Sequence, residues 1–122
     1  MADYKNIEGG VAESEALFYG VKSDFSKADV ERNLRDNNLI LIAFGVSEDN
    51  FGLYLTQGMH DELVAQYGSL DWGGEIRINK NGETTLLPYS ATLGNVPKDK
   101  EQEIVSVISQ YLKNDLGVKF EK

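Results

Sequence analysis

Acid–base or nucleophilic catalysis of the common kind would have to use His60, because it is the only histidine in the sequence. Asp61 and Glu62 follow it directly, but adjacent residues of a helix point in different directions and do not form a base–orienter pair. The absence of cysteine from the sequence excludes a thiol nucleophile, disulfides and thiolate metal ligands. One histidine with scattered carboxylates matches no zinc spacing. We therefore predict no catalytic residues, no metal and no cofactor, and place a small hydrolase or isomerase that uses His60 last.

The carboxylates and glycines add no catalytic pattern. With 20 Asp and Glu residues in the chain, no single pair stands out as the acid and nucleophile of a glycosidase. The glycine pairs Gly9-Gly10 and Gly73-Gly74 lack the spacing and the strand-to-helix context of phosphate-binding loops. We interpret both pairs as loop residues.

The segment from Trp72 to Asn95 combines aromatic, cationic and hydroxyl-rich residues, as a ligand pocket would. Trp72 could stack on a base, plug the end of a sheet or lie in a dimer contact, and Tyr89 has the same alternatives. Arg77 and Lys80 bring positive charge near these rings. The stretch up to Asn95 adds hydroxyls, an amide and a glycine. We predict the ligand pocket of the protein in this neighbourhood.

The charge is negative and unevenly distributed. A net charge of −8 argues against sequence-independent binding of DNA or RNA, which depends on Lys and Arg at the phosphates. A small nucleotide is not excluded, because two or three well-placed donors are enough for it. No Lys or Arg lies between Arg35 and Arg77, and the acidic residues of this interval are Asp36, Glu48, Asp49, Asp61, Glu62, Asp71 and Glu75. The acidic middle is either a solvated surface or a face that docks on a basic partner.

The length of 122 residues and the 41% apolar content indicate a single domain. We divide the chain into a flexible or intersubunit arm over 1–12 and one domain over 13–122. No apolar run approaches the roughly 20 residues that span a bilayer, and the first ten residues lack a signal-peptide pattern. We therefore expect a soluble, cytoplasmic protein that binds no membrane.

The hydrophobic patterns predict an α+β fold with a mainly antiparallel sheet of five to six strands and three helices. Thr56 is expected to cap the second helix and Gly68 to end it, and Asn81-Gly82 indicates a hairpin turn. The predicted elements are a strand over 15–22, a helix from Ser26 to about Asn37 with a capping box, strands over 39–46 and 51–55, a helix over 57–67, a hairpin of 74–79 with 84–87, a last helix from about Pro97 with an apolar stripe, and a closing strand over 118–120.

Several of these features together resemble the phage anti-Thoeris sponge family. They are the N-terminal arm, the strand 51–55, the hairpin 75–82 and the amphipathic C-terminal helix of a small acidic chain without cysteine. The likeness is diffuse and extends over most of the chain. It implies capture of a cyclic ADP-ribose-type immune signal, without cleavage, in pockets between the subunits of a homo-oligomer.

The resemblance also implies a type of pocket, with an aromatic ring, an amide and arginines around the ligand. Tyr89 and Asn95 match the first two groups, and Lys113 is the nearest cation where the family has an arginine towards the C-terminus. We therefore expect the ligand-binding residues to be Trp72, Arg77, Tyr89, Asn95 and Lys113.

Two functions remain open at this point. The first is a non-catalytic binding protein that sequesters a small nucleotide signal and counters host antiviral defence, in the host cell cytoplasm if the protein is phage-encoded. The alternative is an acidic inhibitor or immunity-type module that masks a basic partner protein.

Overall fold

The computed structural model describes residues 5–7 and 20–120, and within them it contains eight strands and three α-helices. A 3₁₀ turn, Lys98–Lys100, precedes the last helix and a π-helical turn, Tyr111–Asp115, follows it. The elements are β1 (Lys5–Ile7), β2 (Gly20–Ser23), α1 (Lys27–Asn37), β3 (Leu39–Ser47), β4 (Gly52–Thr56), α2 (His60–Tyr67), β5 (Trp72–Asn79), β6 (Thr84–Leu87), β7 (Tyr89–Ser90), β8 (Gly94–Asn95) and α3 (Glu101–Gln110). The predicted α+β class is confirmed.

Six strands form one sheet in the order β1-β6-β5-β3-β4-β2, and β7 pairs with β8 in a separate two-stranded sheet. Every neighbouring pair of the large sheet is antiparallel except β2 and β4, which are parallel. β1 and β2 follow each other in the chain but lie at opposite edges of the sheet.

Seven of the nine residues of the central strand β3 are buried. Ile40, Ile42, Phe44 and Val46 alternate along it on one face and are at most 1% exposed, as the two-residue period of a strand requires. The prediction of a strand buried on both faces is correct from Ile42 to Ser47. It is wrong at Leu41, which is 39% exposed on the other face.

Two helices cover the face of the sheet that carries these residues. Val30 and Leu34 of α1 join Ile104, Val105 and Ile108 of α3 in the same hydrophobic core. Each such side chain contributes about 1.5–3 kcal/mol when it is fully buried. The apolar stripe predicted for the last helix is therefore confirmed as a core-facing surface.

The opposite face is covered in part by α2. Leu63 of α2 is fully buried, and together with Leu70 and Leu93 it packs over Gly45, where a side chain would require Leu70 and Leu93 to shift. Tyr67 stacks on Tyr54 with ring centroids 4.2 Å apart. Burial, followed by the charge of Asp24, raises the pKa of Tyr67, so its phenol stays neutral further into the alkaline range than a free tyrosine does.

Helix α1 has the capping box that the sequence predicts. The hydroxyl of Ser26 accepts a hydrogen bond from the backbone N–H of Asp29 at 3.2 Å, and the carboxylate of Asp29 accepts one from the N–H of Ser26 at 2.9 Å. The hydrogen bond from the Ser26 backbone, and then the one from Arg32, lower the pKa of Asp29. At the other end Asn38 adopts a left-handed conformation with φ 65°, and its N–H donates to the carbonyl of Leu34.

The start of α2 differs from the prediction. The helix begins at His60, and Thr56 does not cap it, because Thr56 lies in β4 and is 1% exposed. The Thr56 hydroxyl donates instead to the carboxylate of Asp24 at 2.7 Å and accepts from the N–H of Gly58 at 3.0 Å. Gly68 follows the helix with φ 85° and ψ −154°, which is a positive φ but not the left-handed helical cap that we expected.

The ends of the chain also show differences. Residues 118–120 form no strand, and Val118 is instead a core residue whose N–H donates to the carbonyl of Leu112. Of the strand predicted over 15–22, β2 contains the last three residues and extends to Ser23; residues 15–19 lie outside the described residues. Lys5–Ile7 of the predicted arm form β1 beside β6, and the rest of the arm also lies outside them.

No helix within the described residues has the length and apolar character that crossing a membrane requires.

Gly73 provides a test of the packing between β5 and β3. The interpretation of Gly73 and Gly74 as loop residues is wrong, and the strand predicted over 74–79 is confirmed as part of β5, which begins earlier, at Trp72. A Cβ on Gly73 would overlap the backbone carbonyl oxygen of Phe44. We expect Gly73→Ala to lower the free energy of unfolding by about 1–3 kcal/mol, measured by urea denaturation. Gly20→Ala is the control, since its Cβ would lie 3.9 Å from the nearest atom. Equal midpoints for the two variants would contradict the expectation.

Candidate functional site

A cleft of about 410 Å³ opens where the end of α1, the loop between β5 and β6 and the segment after the last helix meet. We call it the cationic cleft. Its volume falls in the range of roughly 300–1,000 Å³ that is typical of small-molecule sites. The residues that line it are Glu31, Leu34, Arg35, Asn38, Lys80 and Lys119.

The end of α1 positions one wall of the cationic cleft. Leu34 is 6% exposed and anchors the last turn of the helix in the core. The left-handed conformation of Asn38 turns the chain from α1 directly into β3. The carbonyl of Asn38 accepts a hydrogen bond from the backbone N–H of Lys80 at 3.1 Å. The helix end and the β5–β6 loop are therefore joined at the cleft.

The β5–β6 loop is held by the side chain of Asn79. Its Oδ1 accepts hydrogen bonds from the N–H groups of Asn81 and Glu83, each at 3.0 Å, and its Nδ2 donates to the Glu83 carboxylate at 2.7 Å. Gly82 takes φ 89° in this loop, a conformation that favours glycine. The Asn-Gly hairpin turn is confirmed, and it gives Lys80 a defined backbone position.

Three cations and one carboxylate surround the cationic cleft. Arg35 lies 3.8 Å from the carboxylate of Asp36, but both side chains are more than half exposed, and a pair of this kind is weak. Among residues 5–7 and 20–120, Lys80 and Lys119 form no salt bridge. The cleft is therefore a positive region on a chain whose net charge is −8.

This arrangement suits an anionic ligand with hydroxyl groups. The guanidinium of Arg35 can donate two parallel hydrogen bonds to a phosphate or carboxylate, and the ammonium groups of Lys80 and Lys119 act as point charges. The carboxylate of Glu31 can only accept hydrogen bonds when it is ionised, so it fits a hydroxyl or amine of the ligand. The side chain of Asn38 can serve as donor and acceptor.

The structure places Trp72 in the core. The residue begins β5 opposite Val46, and it is 6% exposed. Its indole N–H donates to the carboxylate of Glu48 at 2.9 Å. Of the alternatives for Trp72, this position matches the one in which it plugs the end of the sheet, and the buried ring offers no open face on which a base could stack.

The other predicted ligand-binding residues are divided between separate regions. Tyr89 and Asn95 are partners in the β7–β8 ladder and both are exposed. Arg77 is exposed on the face of β5 opposite to the core residue Ile76. Lys113 is exposed on the turn that continues α3, which packs on the core face. The structure thus joins Tyr89 with Asn95 but separates Arg77 from Lys113 by the sheet.

His60 has a structural contact at the start of α2. Its Nε2 lies 2.6 Å from the carbonyl oxygen of Gly74 in β5, so this nitrogen is the donor and carries the proton. The contact ties the helix to the sheet. Among residues 5–7 and 20–120, no group of three His, Asp or Glu side chains could hold a metal ion.

Two of the acidic residues, Glu48 and Asp49, lie in the β3–β4 loop. The backbone N–H of Glu48 donates a hydrogen bond to the carboxylate of Asp71 at 2.7 Å, and Asp49 is exposed. Phe51 in the same loop is 59% exposed with φ 50°. This loop therefore contains two acidic residues and an exposed aromatic residue.

Sequence reasoning identified only Lys80 among the residues of the cationic cleft. The sequence patterns place Glu31 and Arg35 inside the predicted helix that ends near Asn37, and Lys119 inside the predicted strand over 118–120, and they assign no ligand to any of the three. The available signal was the charge pattern: Arg35 and Lys80 are cations on either side of the acidic middle of the chain, but no pattern in the sequence indicates that the segment containing Lys119 returns to them.

The hydrogen bond from His60 to the carbonyl of Gly74 is expected to stabilise the folded protein. Replacing His60 with Ala leaves the Gly74 carbonyl without its donor, and we expect the free energy of unfolding to fall by about 0.5–1.5 kcal/mol. His60→Gln keeps an N–H donor on a long side chain and should recover part of the loss. Thermal denaturation measures both variants. An Ala variant as stable as the unmodified protein would show that the hydrogen bond contributes nothing.

The cationic cleft is thus the described site whose lining best matches a ligand chemistry, that of a small anion with hydroxyl groups. Comparisons of the chain with models of protein families, with curated proteins and with solved structures find no match.

Proposed function

We propose that the protein binds a small phosphorylated ligand in the cationic cleft and holds it without chemical change. The observation that supports this proposal is the convergence of Arg35, Lys80 and Lys119 in one cleft of about 410 Å³ on an acidic chain. A bound phosphate relieves the repulsion among these cations, because it adds opposite charge between them.

The mixed lining of the cleft supports a class of ligand that has both phosphate and hydroxyl groups. A nucleotide or sugar phosphate carries phosphate oxygens for the cations and ribose hydroxyls for a carboxylate such as Glu31. The cyclic ADP-ribose-type signal implied by the family resemblance has both groups. We therefore propose sequestration of such a signal, which would counter a host antiviral defence, by a homo-oligomer of the protein.

Calorimetry with pyrophosphate and with cyclic ADP-ribose-type nucleotides tests the site. We expect Lys80→Gln to weaken the binding of both ligands by roughly tenfold or more, since a hydrogen bond to a charged group contributes about 1.5–3 kcal/mol. Lys22→Gln is the matched control, because this substitution removes the same charge but lies on β2, at the far edge of the sheet.

The outcome that contradicts the site is equal weakening in the two Lys variants, which would indicate a general effect of net charge. The proposal of sequestration further requires that the nucleotide be recovered intact after the protein is denatured, as judged by mass spectrometry. A released product would instead make the protein an enzyme.

The exposed ring of Phe51 favours the second candidate function, a module that masks a basic partner protein. Aromatic anchors are common at the centre of protein interfaces and charged residues at their rim, and Glu48 and Asp49 precede Phe51 in the β3–β4 loop. Electrostatic complementarity would favour a cationic partner surface with an apolar pocket.

This alternative predicts binding to a basic protein that depends on both Phe51 and salt. Phe51→Ala should reduce the affinity by at least roughly 30-fold, as for an interface hot spot of about 2 kcal/mol. The association should also weaken steeply between low and physiological salt. Surface plasmon resonance against basic host proteins measures both effects, with the exposed Tyr89→Ala as control. Affinity that depends on neither change would exclude the β3–β4 loop as the interface.

A further inference from the structure

The cationic cleft has three walls: the end of α1, the β5–β6 loop and the segment that carries Lys119. The third wall is the only one of these that neither belongs to a helix nor connects two paired strands. Residues 117–120 form no helix or strand, whereas Arg35 belongs to α1 and Lys80 to a hairpin loop fixed by the side chain of Asn79. We call residues 117–120 the closing segment. Contacts of Val118 and Phe120 hold it against the rest of the molecule.

The first contact is Val118. Its side chain is 3% exposed and belongs to the hydrophobic core. Its backbone N–H donates to the carbonyl of Leu112 at 2.8 Å. This hydrogen bond exists only while the closing segment lies against the end of the last helix, so the Val118 amide reports on the position of the segment.

The second contact is Phe120 on Gly82. A Cβ built on Gly82 would lie 3.5 Å from the Cβ of Phe120, so Phe120 lies beside this glycine, and its side chain also packs against the hydrophobic core. Phe120 is therefore next to the β5–β6 loop at a position two residues from Lys80. Lys119 lies between the two anchored residues and lines the cleft.

We propose that the closing segment is a clamp whose docking is coupled to binding of the anion. Lys119 completes the cationic cleft only when Val118 and Phe120 are docked. A phosphate that contacts Lys119 together with Arg35 or Lys80 therefore favours the docked state, and by linkage docking favours the phosphate. Phe120 is a positioning residue in this arrangement, because it acts on the ligand through Lys119. The inference rests on the proposed function.

Calorimetric titration with inorganic pyrophosphate tests the clamp. If Phe120→Ala lowers the docked fraction to about one tenth, the apparent affinity falls about tenfold. Phe120→Leu keeps an apolar contact with Gly82 and should restore most of the affinity. Circular dichroism melting confirms that each variant remains folded.

A double-mutant cycle separates positioning from a general structural effect. If Phe120 acts through Lys119, then Phe120→Ala should change the affinity less than twofold in a Lys119→Gln background, because the group that it positions has been removed. An equal loss in both backgrounds would overturn the inference.

Hydrogen exchange supplies the reciprocal measurement. Pyrophosphate should slow exchange of the Val118 amide severalfold in the unmodified protein, and should slow it less in Lys119→Gln. The amide of Gly68, which donates to the carbonyl of Val64 at the end of α2, is the control and should be unchanged. An unchanged rate at Val118 would contradict the coupling.

The binding experiments distinguish a wrong clamp from a wrong proposed function. If the unmodified protein binds pyrophosphate, loses it in Lys80→Gln and keeps it in Phe120→Ala, the cleft is correct and the clamp is wrong. If the unmodified protein does not bind pyrophosphate or any cyclic ADP-ribose-type nucleotide, both are wrong.

Discussion

The pairing of β3 with β4 on one side and β5 on the other is the constraint on which the rest of the molecule depends. It fixes which residues of three strands face α1 and α3, and a shift by one residue would expose the whole set, because side chains alternate along a strand. Ile42, Phe44 and Val46 are all buried in this register. The close approach of Gly73 to the backbone of Phe44 leaves no room for a side chain at this position of β5.

The cationic cleft is a consequence of the same pairing at the other end of β3. Leu39 pairs with Asn79, so the residue before β3 and the residue after β5 are neighbours. Asn38 and Lys80 occupy these two positions, and the hydrogen bond between their backbones links the end of α1 to the β5–β6 loop. Arg35 and Lys80 are thus placed by the last turn of α1 and by the residue directly after β5, and positions next to regular elements are more rigid supports than free loops.

The sequence predicted most of the fold and little of the candidate site, for a physical reason. The capping box of Ser26, the alternation in β5 and the apolar stripe of α3 are local signals, and local signals fix where elements begin and which face they bury. The partners of Trp72 and Thr56 are distant in the chain: Glu48 for the first and Asp24 for the second. These long-range contacts fix the positions of Trp72 and Thr56, and a local sequence pattern does not contain them. The approach of Lys119 to Arg35 depends on the path after the last helix, which no periodicity encodes.

The position of β1 has a consequence for how the protein can be handled. β1 covers the outer hydrogen-bonding edge of β6 by pairing with Thr84–Leu86. A chain that lacks its first seven residues would present that edge bare, and bare strand edges recruit strands from other molecules. Shortened versions of the protein would therefore tend to self-associate through β6 and could be mistaken for natural oligomers.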